Sequence, residues 1–161
     1  MTVDAFPFPT DLTEESAMRF MILVKADKNT EAGVMPSETL LKDMMKYNEE
    51  LVKAGVLLAG EGLQPSSKGA RVRFSGAKRT VIDGPFTETK ELIAGFWMFN
   101  VKSKEEAIEW VKRCPNPVEG DTEIEIRQVF EAPDLTQNED IIRKEAELRA
   151  RSSQLAAGKN P

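Results

Sequence analysis

The chain has 161 residues, 40% of them apolar and 30% charged, with a formal net charge of −5. That length and balance suit one soluble domain with extensions, and the negative sign argues against a broad phosphate-binding surface and so against nucleic acid as a partner. Histidine is absent and the only cysteine is Cys114, which excludes a His-dependent triad, a His proton shuttle and an intrachain disulfide, and argues against a zinc site within one subunit.

Any general acid or base must therefore be Asp, Glu, Lys, Tyr or the lone Cys. No EF-hand spacing is present, and Gly60-Glu61-Gly62 has Pro65 where a dinucleotide-binding loop needs its third glycine. No cofactor and no metal are expected. Met1 to Ser16 contains Asp4, Asp11, Glu14 and Glu15 and lacks the basic start and apolar core of a signal peptide. Apolar runs such as Phe20 to Val24 are too short to span a bilayer. A cytoplasmic protein without membrane contact is expected.

In chain order, residues 1–17 read as an N-terminal arm. Phe6-Pro7-Phe8-Pro9 is extended by its prolines, and the segment is either a tail or an arm that packs on a neighbour. Arg19 to Lys25 is a strand with apolar residues on both faces, Phe20, Ile22 and Val24 against Met21 and Leu23. A loop through Asp27 to Gly33 leads to a helix with Ser37 as N-cap, in which Leu40, Leu41, Met44, Met45, Leu51 and Val52 recur at helical spacing until Gly55. Tyr47 sits at the edge of that buried face with its hydroxyl free to seek a partner. Val56 to Leu63 is a second strand, with a bulge or bend at Gly60-Glu61-Gly62 and Glu61 aimed at a cleft or at solvent.

A hairpin follows, Arg71 to Ser75 and Thr80 to Asp83 around Gly76-Ala77-Lys78-Arg79, with Val72 and Phe74 on one face and Arg71 and Arg73 on a solvated other. Asp83-Gly84-Pro85-Phe86 is a turn: proline presets φ, glycine accepts unusual conformations, and Asp83 either caps the turn or forms the lip of a pocket. Thr87 to Leu92 forms one helical turn at most. Gly95 to Val101 is the strand most in need of burial, Phe96 and Met98 on one side and Trp97, Phe99 and Val101 on the other. Ser103 to Glu106 is a capping box opening a second helix, stopped by Pro115-Asn116-Pro117. Thr122 to Phe130 alternates as a half-exposed strand. A second capping box, Thr136 to Glu139, opens a charged helix whose apolar stripe of Ile141, Ile142, Leu148 and Leu155 is too thin for a core, so it lies against the domain or a partner.

The order strand, helix, strand, hairpin, strand, helix, strand predicts an α+β fold: a ferredoxin-like split βαβ sandwich over residues 18–131 with an inserted β-hairpin, followed by a C-terminal helix and frayed tail over 132–161. Right-handed crossovers put both helices on one side of the sheet. The other side then carries apolar residues in water, and pairing two sheets in a homodimer is the simplest cover.

Tyr47-Asn48-Glu49-Glu50-Leu51, Gly60-Glu61-Gly62-Leu63, Asp83-Gly84-Pro85-Phe86, Lys90-Glu91 and Glu109-Trp110 through Arg113-Cys114-Pro115 resemble the YCII-related family, and more narrowly its branch named for the Asp-Gly-Pro-Phe motif. The resemblance implies a ferredoxin-like fold of the dimeric α/β-barrel type that dimerises through its sheets, with a cleft beside the interface. Some relatives carry a His–Asp pair proposed as catalytic. Here histidine is absent and Arg113-Cys114-Pro115 stands at the second position, so that chemistry does not carry over. Members often occur alongside sigma-factor systems, which implies regulation or stress metabolism.

The expected function is binding or transformation of a small molecule in a cleft at the dimer interface, with a carboxylate in place of histidine as any acid or base. Asp83 is the catalytic candidate, and Tyr47, Glu61, Glu88, Lys90 and Trp97 form the candidate ligand-binding set, since such sites combine apolar walls with a few convergent polar groups. Structural readings stand beside these: Asp83 capping its turn, Glu61 in solvent, Trp97 in the core. Whether a reaction occurs is left open, and a non-catalytic regulatory or interaction module is the alternative. Gly95-Phe96-Trp97-Met98-Phe99 echoes the aromatic strand of RNA-recognition domains, but it lacks the preceding basic residue and Trp97 fills the small-residue position.

Overall fold

Period-two patterning decides the sheet. In the computed structural model, which describes residues 17–158, β1 (Met18–Lys25) and β5 (Ile93–Val101) lie side by side, antiparallel, with Phe20 opposite Phe99 and Ile22 opposite Trp97. Directly opposed residues share a face, so Phe20, Ile22, Val24, Trp97, Phe99 and Val101 all enter one buried layer. β6 (Ile124–Gln128) flanks β1 and β2 (Leu57–Gly62) flanks β5, giving the order β2-β5-β1-β6. That antiparallel order with two crossover helices is the ferredoxin-like α+β arrangement that the element order predicts. Residues 1–16 of the arm expected over 1–17, and 159–161 of the frayed end expected over 156–161, lie outside the described residues, while 156–158 are helical.

The helices α2 (Glu38–Lys53) and α3 (Lys104–Lys112) bring Tyr47, Leu51 and Ala107 onto that layer, with Met44, Trp110, Val111 and Cys114 packed around them. Ser37 caps α2 by accepting from the Leu40 amide at 3.1 Å, and Gly55 follows the helix with φ of 70°, the left-handed exit that glycine permits. The buried stripe is narrower than the spacing predicts. Leu41, Met45 and Val52 are exposed, at 44, 65 and 62%, because the sheet covers only the side that carries Met44, Tyr47 and Leu51.

Three local features differ from expectation. Asp27 to Gly33 holds a one-turn helix, α1 (Lys28–Glu31), closed by a reciprocal cap between Asp27 and Thr30. The bulge in β2 falls between Leu57 and Ala59, ahead of the glycines. Gly60 answers a different need: a Cβ there would stand 2.7 Å from the Trp97 ring. At Ser103 only half of the capping box forms. Its hydroxyl accepts from the Glu106 amide at 3.1 Å, while the Glu106 carboxylate accepts from Lys102 at 2.8 Å, one residue before the cap.

β3 (Ala70–Ser75) and β4 (Lys78–Asp83) form a separate two-stranded sheet. Their turn is Gly76-Ala77, with φ of 57° at Gly76 and no positive φ at any described non-glycine residue, the requirement of a type II′ hairpin turn.

The chain divides into two compact units, Met1–Gln128 and Val129–Pro161. The second holds α4 (Ala132–Leu135) and α5 (Glu139–Gly158). Thr136 does not cap α5 as the spacing predicts; Asn138 does, accepting from the Asp140 amide at 3.0 Å. Ion pairs such as Arg143–Asp140 at 2.6 Å run along α5, and Ile141, Leu148 and Leu155 are exposed.

Candidate functional site

The Asp83-Gly84-Pro85-Phe86 turn is built into a clamp. Gly84–Pro85 is a cis peptide, and the Gly84 amide donates to the Gly69 carbonyl at 3.0 Å. A side chain at Gly84 is impossible in this arrangement, because its Cβ would fall 1.7 Å from the Ser66 carbonyl oxygen. Ser66 lies in a short 3₁₀ turn, Ser66–Lys68, and its hydroxyl accepts from the Phe86 amide at 3.1 Å while donating to the Glu31 carboxylate. The second Glu31 oxygen accepts from the Ser66 amide at 3.1 Å. The Arg71 guanidinium lies 3.8 Å above the Phe86 ring, a cation–π contact that closes the far side of the turn. Three stretches distant in sequence thus meet at one serine.

Asp83 stands at the end of β4, exposed, opposite Ala70, and its carboxylate makes no hydrogen bond or ion pair with the described residues. Glu61 is exposed on edge strand β2 and opposes Phe96, which puts it on the side of the sheet away from the helices. Glu88 and Lys90 are exposed on the stretch between the turn and β5, where Thr89–Glu91 makes one 3₁₀ turn. Glu61 lies near the end of β2, and Glu88 and Lys90 on the stretch that leads into β5, while Asp83 belongs to the separate hairpin sheet.

Tyr47 and Trp97 are together but elsewhere. Both are buried, at 4% and 8% exposure, and their rings meet edge to face with centroids 5.8 Å apart. The Tyr47 hydroxyl donates to the Trp110 carbonyl at 2.8 Å, tying α2 to α3, and the Trp97 indole donates to Asn48 at 2.9 Å. Burial pushes the Tyr47 phenol well above its ordinary pKa, with the neighbouring Cys114 adding to the rise. Its proton is held, so Tyr47 acts as a core donor. Burial likewise pushes the Cys114 thiol up to about 11, which removes the thiolate that a nucleophile needs.

Among the described residues no group of three or more Cys, Asp or Glu side chains is placed to hold a metal ion, and no helix is long and apolar enough to cross a membrane. Sequence reasoning passed over Glu31 and Ser66. The Asp27-x-x-Thr30 cap could have flagged α1, but no spacing rule leads from Glu31 to Ser66.

The side of the sheet away from the helices carries Met21, Leu23, Phe96 and Met98, half-buried and mutually adjacent, with Met21 opposite Met98 and Leu23 opposite Phe96. Glu125 opposes Leu23 on β6 and lies 3.6 Å from Lys25 and 3.4 Å from Arg127. A four-stranded ferredoxin-like sheet with a clamped Gly-Pro turn puts the chain among small α+β domains. The YCII-related domain model matches residues 18–133, and the chain belongs to that family. It is also similar to an uncharacterised protein of Rhizobium meliloti (strain 1021), 30% identical over 100 residues, 61% of this chain and 81% of that protein.

Proposed function

We propose that the chain acts as a homodimer paired through the open side of its sheet, holding a small polar molecule in a cleft at the edge of that interface. The observation that carries this reading is the apolar group Met21, Leu23, Phe96 and Met98, left without a covering helix in its own unit. Such a patch is costly in water. Its rim carries both signs, Lys25 and Arg127 beside Glu125 and Glu61, as a surface that pairs with its own copy requires.

Glu61, Asp83, Glu88 and Lys90, all exposed, supply the polar groups of the proposed cleft. Three carboxylates with one ammonium favour a ligand bearing hydroxyl, amide or amine donors. Tyr47 and Trp97 support the wall from the core and do not touch the ligand. Any acid–base step falls to a carboxylate, with Asp83 the candidate, fixed in place by the turn that follows it. A metabolite screen by thermal shift tests the reading: compounds that raise the Tm of the wild type should lose that effect with Asp83→Asn while the unliganded Tm stays unchanged. A screen in which no small molecule stabilises the dimer contradicts it.

A non-catalytic interaction module is the second reading, favoured by the exposed apolar stripe of α5, Ile141, Leu148 and Leu155. Capture of the same partner by the wild type and by Asp83→Asn would support it.

A further inference from the structure

The hairpin β3–β4 and the edge strand β6 complement each other in pattern and in charge. β3 pairs with β4 alone, and β6 closes one side of the four-stranded sheet, so each has an outer backbone edge that pairs with no described strand. Open edges of this kind are templates for strand addition. In the hairpin, Arg71, Arg73 and Lys78 share one side with Ser75, Thr80 and Ile82, while Val72 and Phe74 take the other with Val81 and Arg79. Two of these cations are engaged: Arg71 lies over Phe86 and Arg79 over Phe74. Arg73 and Lys78 are exposed, and their side chains make no hydrogen bond or ion pair with the described residues. Residues 68–82 carry Lys68, Arg71, Arg73, Lys78 and Arg79 and no acid, in a chain of net charge −5.

The opposite charge stands on β6 with the same alternation. Ile124 and Ile126 oppose Val24 and Ile22 and so face the helices, while Glu125 opposes Leu23 on the open side. Glu123, one residue before the strand, falls on the side of Glu125 by alternation. Residues 114–126 contain Glu119, Asp121, Glu123 and Glu125 and no Lys or Arg. Glu125 is shared at 3.6 Å by Lys25 and at 3.4 Å by Arg127; Glu123 is exposed and has no such partner among the described residues. The other edge strand, β2, offers one acid, Glu61, between two glycines.

We propose that β3 of one copy adds antiparallel to the outer edge of β6 in a second copy, with Arg73 opposite the partner's Glu123 and Arg71 opposite the partner's Glu125. Val72 then falls opposite the partner's Ile124, so one register satisfies both sides of the ribbon. Arg71 keeps its place over Phe86, because a ring face uses none of the guanidinium's N–H donors. Antiparallel addition gives the more stable ladder, and it supplies a two-stranded ribbon, marginal by itself, with the further strands that it lacks.

This pairing rests on the homodimer proposed above and adds a second contact to it. A two-fold axis along the strands reverses the order β2-β5-β1-β6 and so stacks β2 of one sheet on β6 of the other, about 10 Å apart. Gly62 opposes Gly95, Gly95 opposes Val24, and Val24 opposes Ile124, so β2 ends at the level where β6 begins. The hairpin therefore sets out beside the partner's strand, and residues 64–69 reach about 20 Å when extended, more than the gap.

Cysteine cross-linking and sedimentation of the full chain test the pairing. Arg73→Cys/Glu123→Cys is expected to form a disulfide-linked dimer on air oxidation, while Arg73→Cys/Glu61→Cys, which uses the other edge strand, stays unlinked. Arg73→Glu and Glu123→Arg should each raise the dimer dissociation constant about tenfold, since the contact occurs twice per dimer, and Arg73→Glu/Glu123→Arg should restore it. A wild-type dimer whose constant neither reversal changes, with Arg73→Cys/Glu123→Cys unlinked, would overturn the strand pairing and leave the sheet-face dimer standing. A disulfide formed within one chain would also overturn it. A monomeric wild type would overturn both the pairing and the dimer.

Discussion

Among the described glycines, Gly84 has the least room for a side chain. The atom that a Cβ would strike is the Ser66 backbone carbonyl oxygen, 1.7 Å away, and a backbone atom cannot rotate aside. Gly84→Ala is expected to destabilise by at least the upper end of the ~1–3 kcal/mol seen for overpacking, measured by urea denaturation. Ser66→Ala keeps the backbone and loses the bonds to Glu31 and the Phe86 amide, a smaller loss of about 1–3 kcal/mol for half-buried groups that water can partly serve. Equal stability of Gly84→Ala and wild type would remove the clamp from the account. Cys114 gives a pH signature. Its folded pKa, about 11, stands above the ordinary 9.0, so the neutral thiol is the form the fold favours. The contribution to stability is complete below pH 9 and disappears as pH rises through about 11. Alkylation of Cys114 in the native protein should follow a titration near 11, and a midpoint below 9 would contradict its burial.

At the scale of elements, patterning carried most of the fold. Both faces of β1 and β5 were legible because period-two alternation assigns every residue a side once one side is known. The helix starts at Ser37 and Ser103 were legible because capping is local chemistry. Ser103→Ala should cost about 1 kcal/mol, read as a lower urea midpoint at unchanged slope; no change would mean that the Glu106 carboxylate bond to Lys102 holds the helix start alone. The α2 stripe was overread because helical spacing gives an apolar arc without saying how much of it the sheet covers. Thr136 was overread because its hydroxyl serves the Asn138 amide at 3.1 Å, which passes the cap to Asn138. The clamp was the least legible. Its partners are 35 and 20 residues apart, and no local rule joins a one-turn helix, a loop serine and a hairpin exit. The candidate site shares that difficulty: Tyr47 and Trp97 each carry a pocket reading beside a core reading, and only the fold shows that both side chains are buried.

For the whole molecule, the central question is what lies against the open side of the sheet. Met21, Leu23, Phe96 and Met98 form a patch that one chain's own unit leaves half-buried, and the proposed dimer would cover it with a second copy's matching apolar area and a rim of mixed charge. Phe96 lies at the middle of this side, opposite both Leu23 and Glu61, so Phe96→Glu places a charge where two sheets would meet without touching the helix-side core. Sedimentation equilibrium of the full chain at micromolar concentration tests the pairing most directly. The account predicts a wild type at twice the 18.0 kDa chain mass and a folded monomer for Phe96→Glu, with unchanged circular dichroism. A wild type that sediments as a folded 18.0 kDa monomer across that range would contradict it.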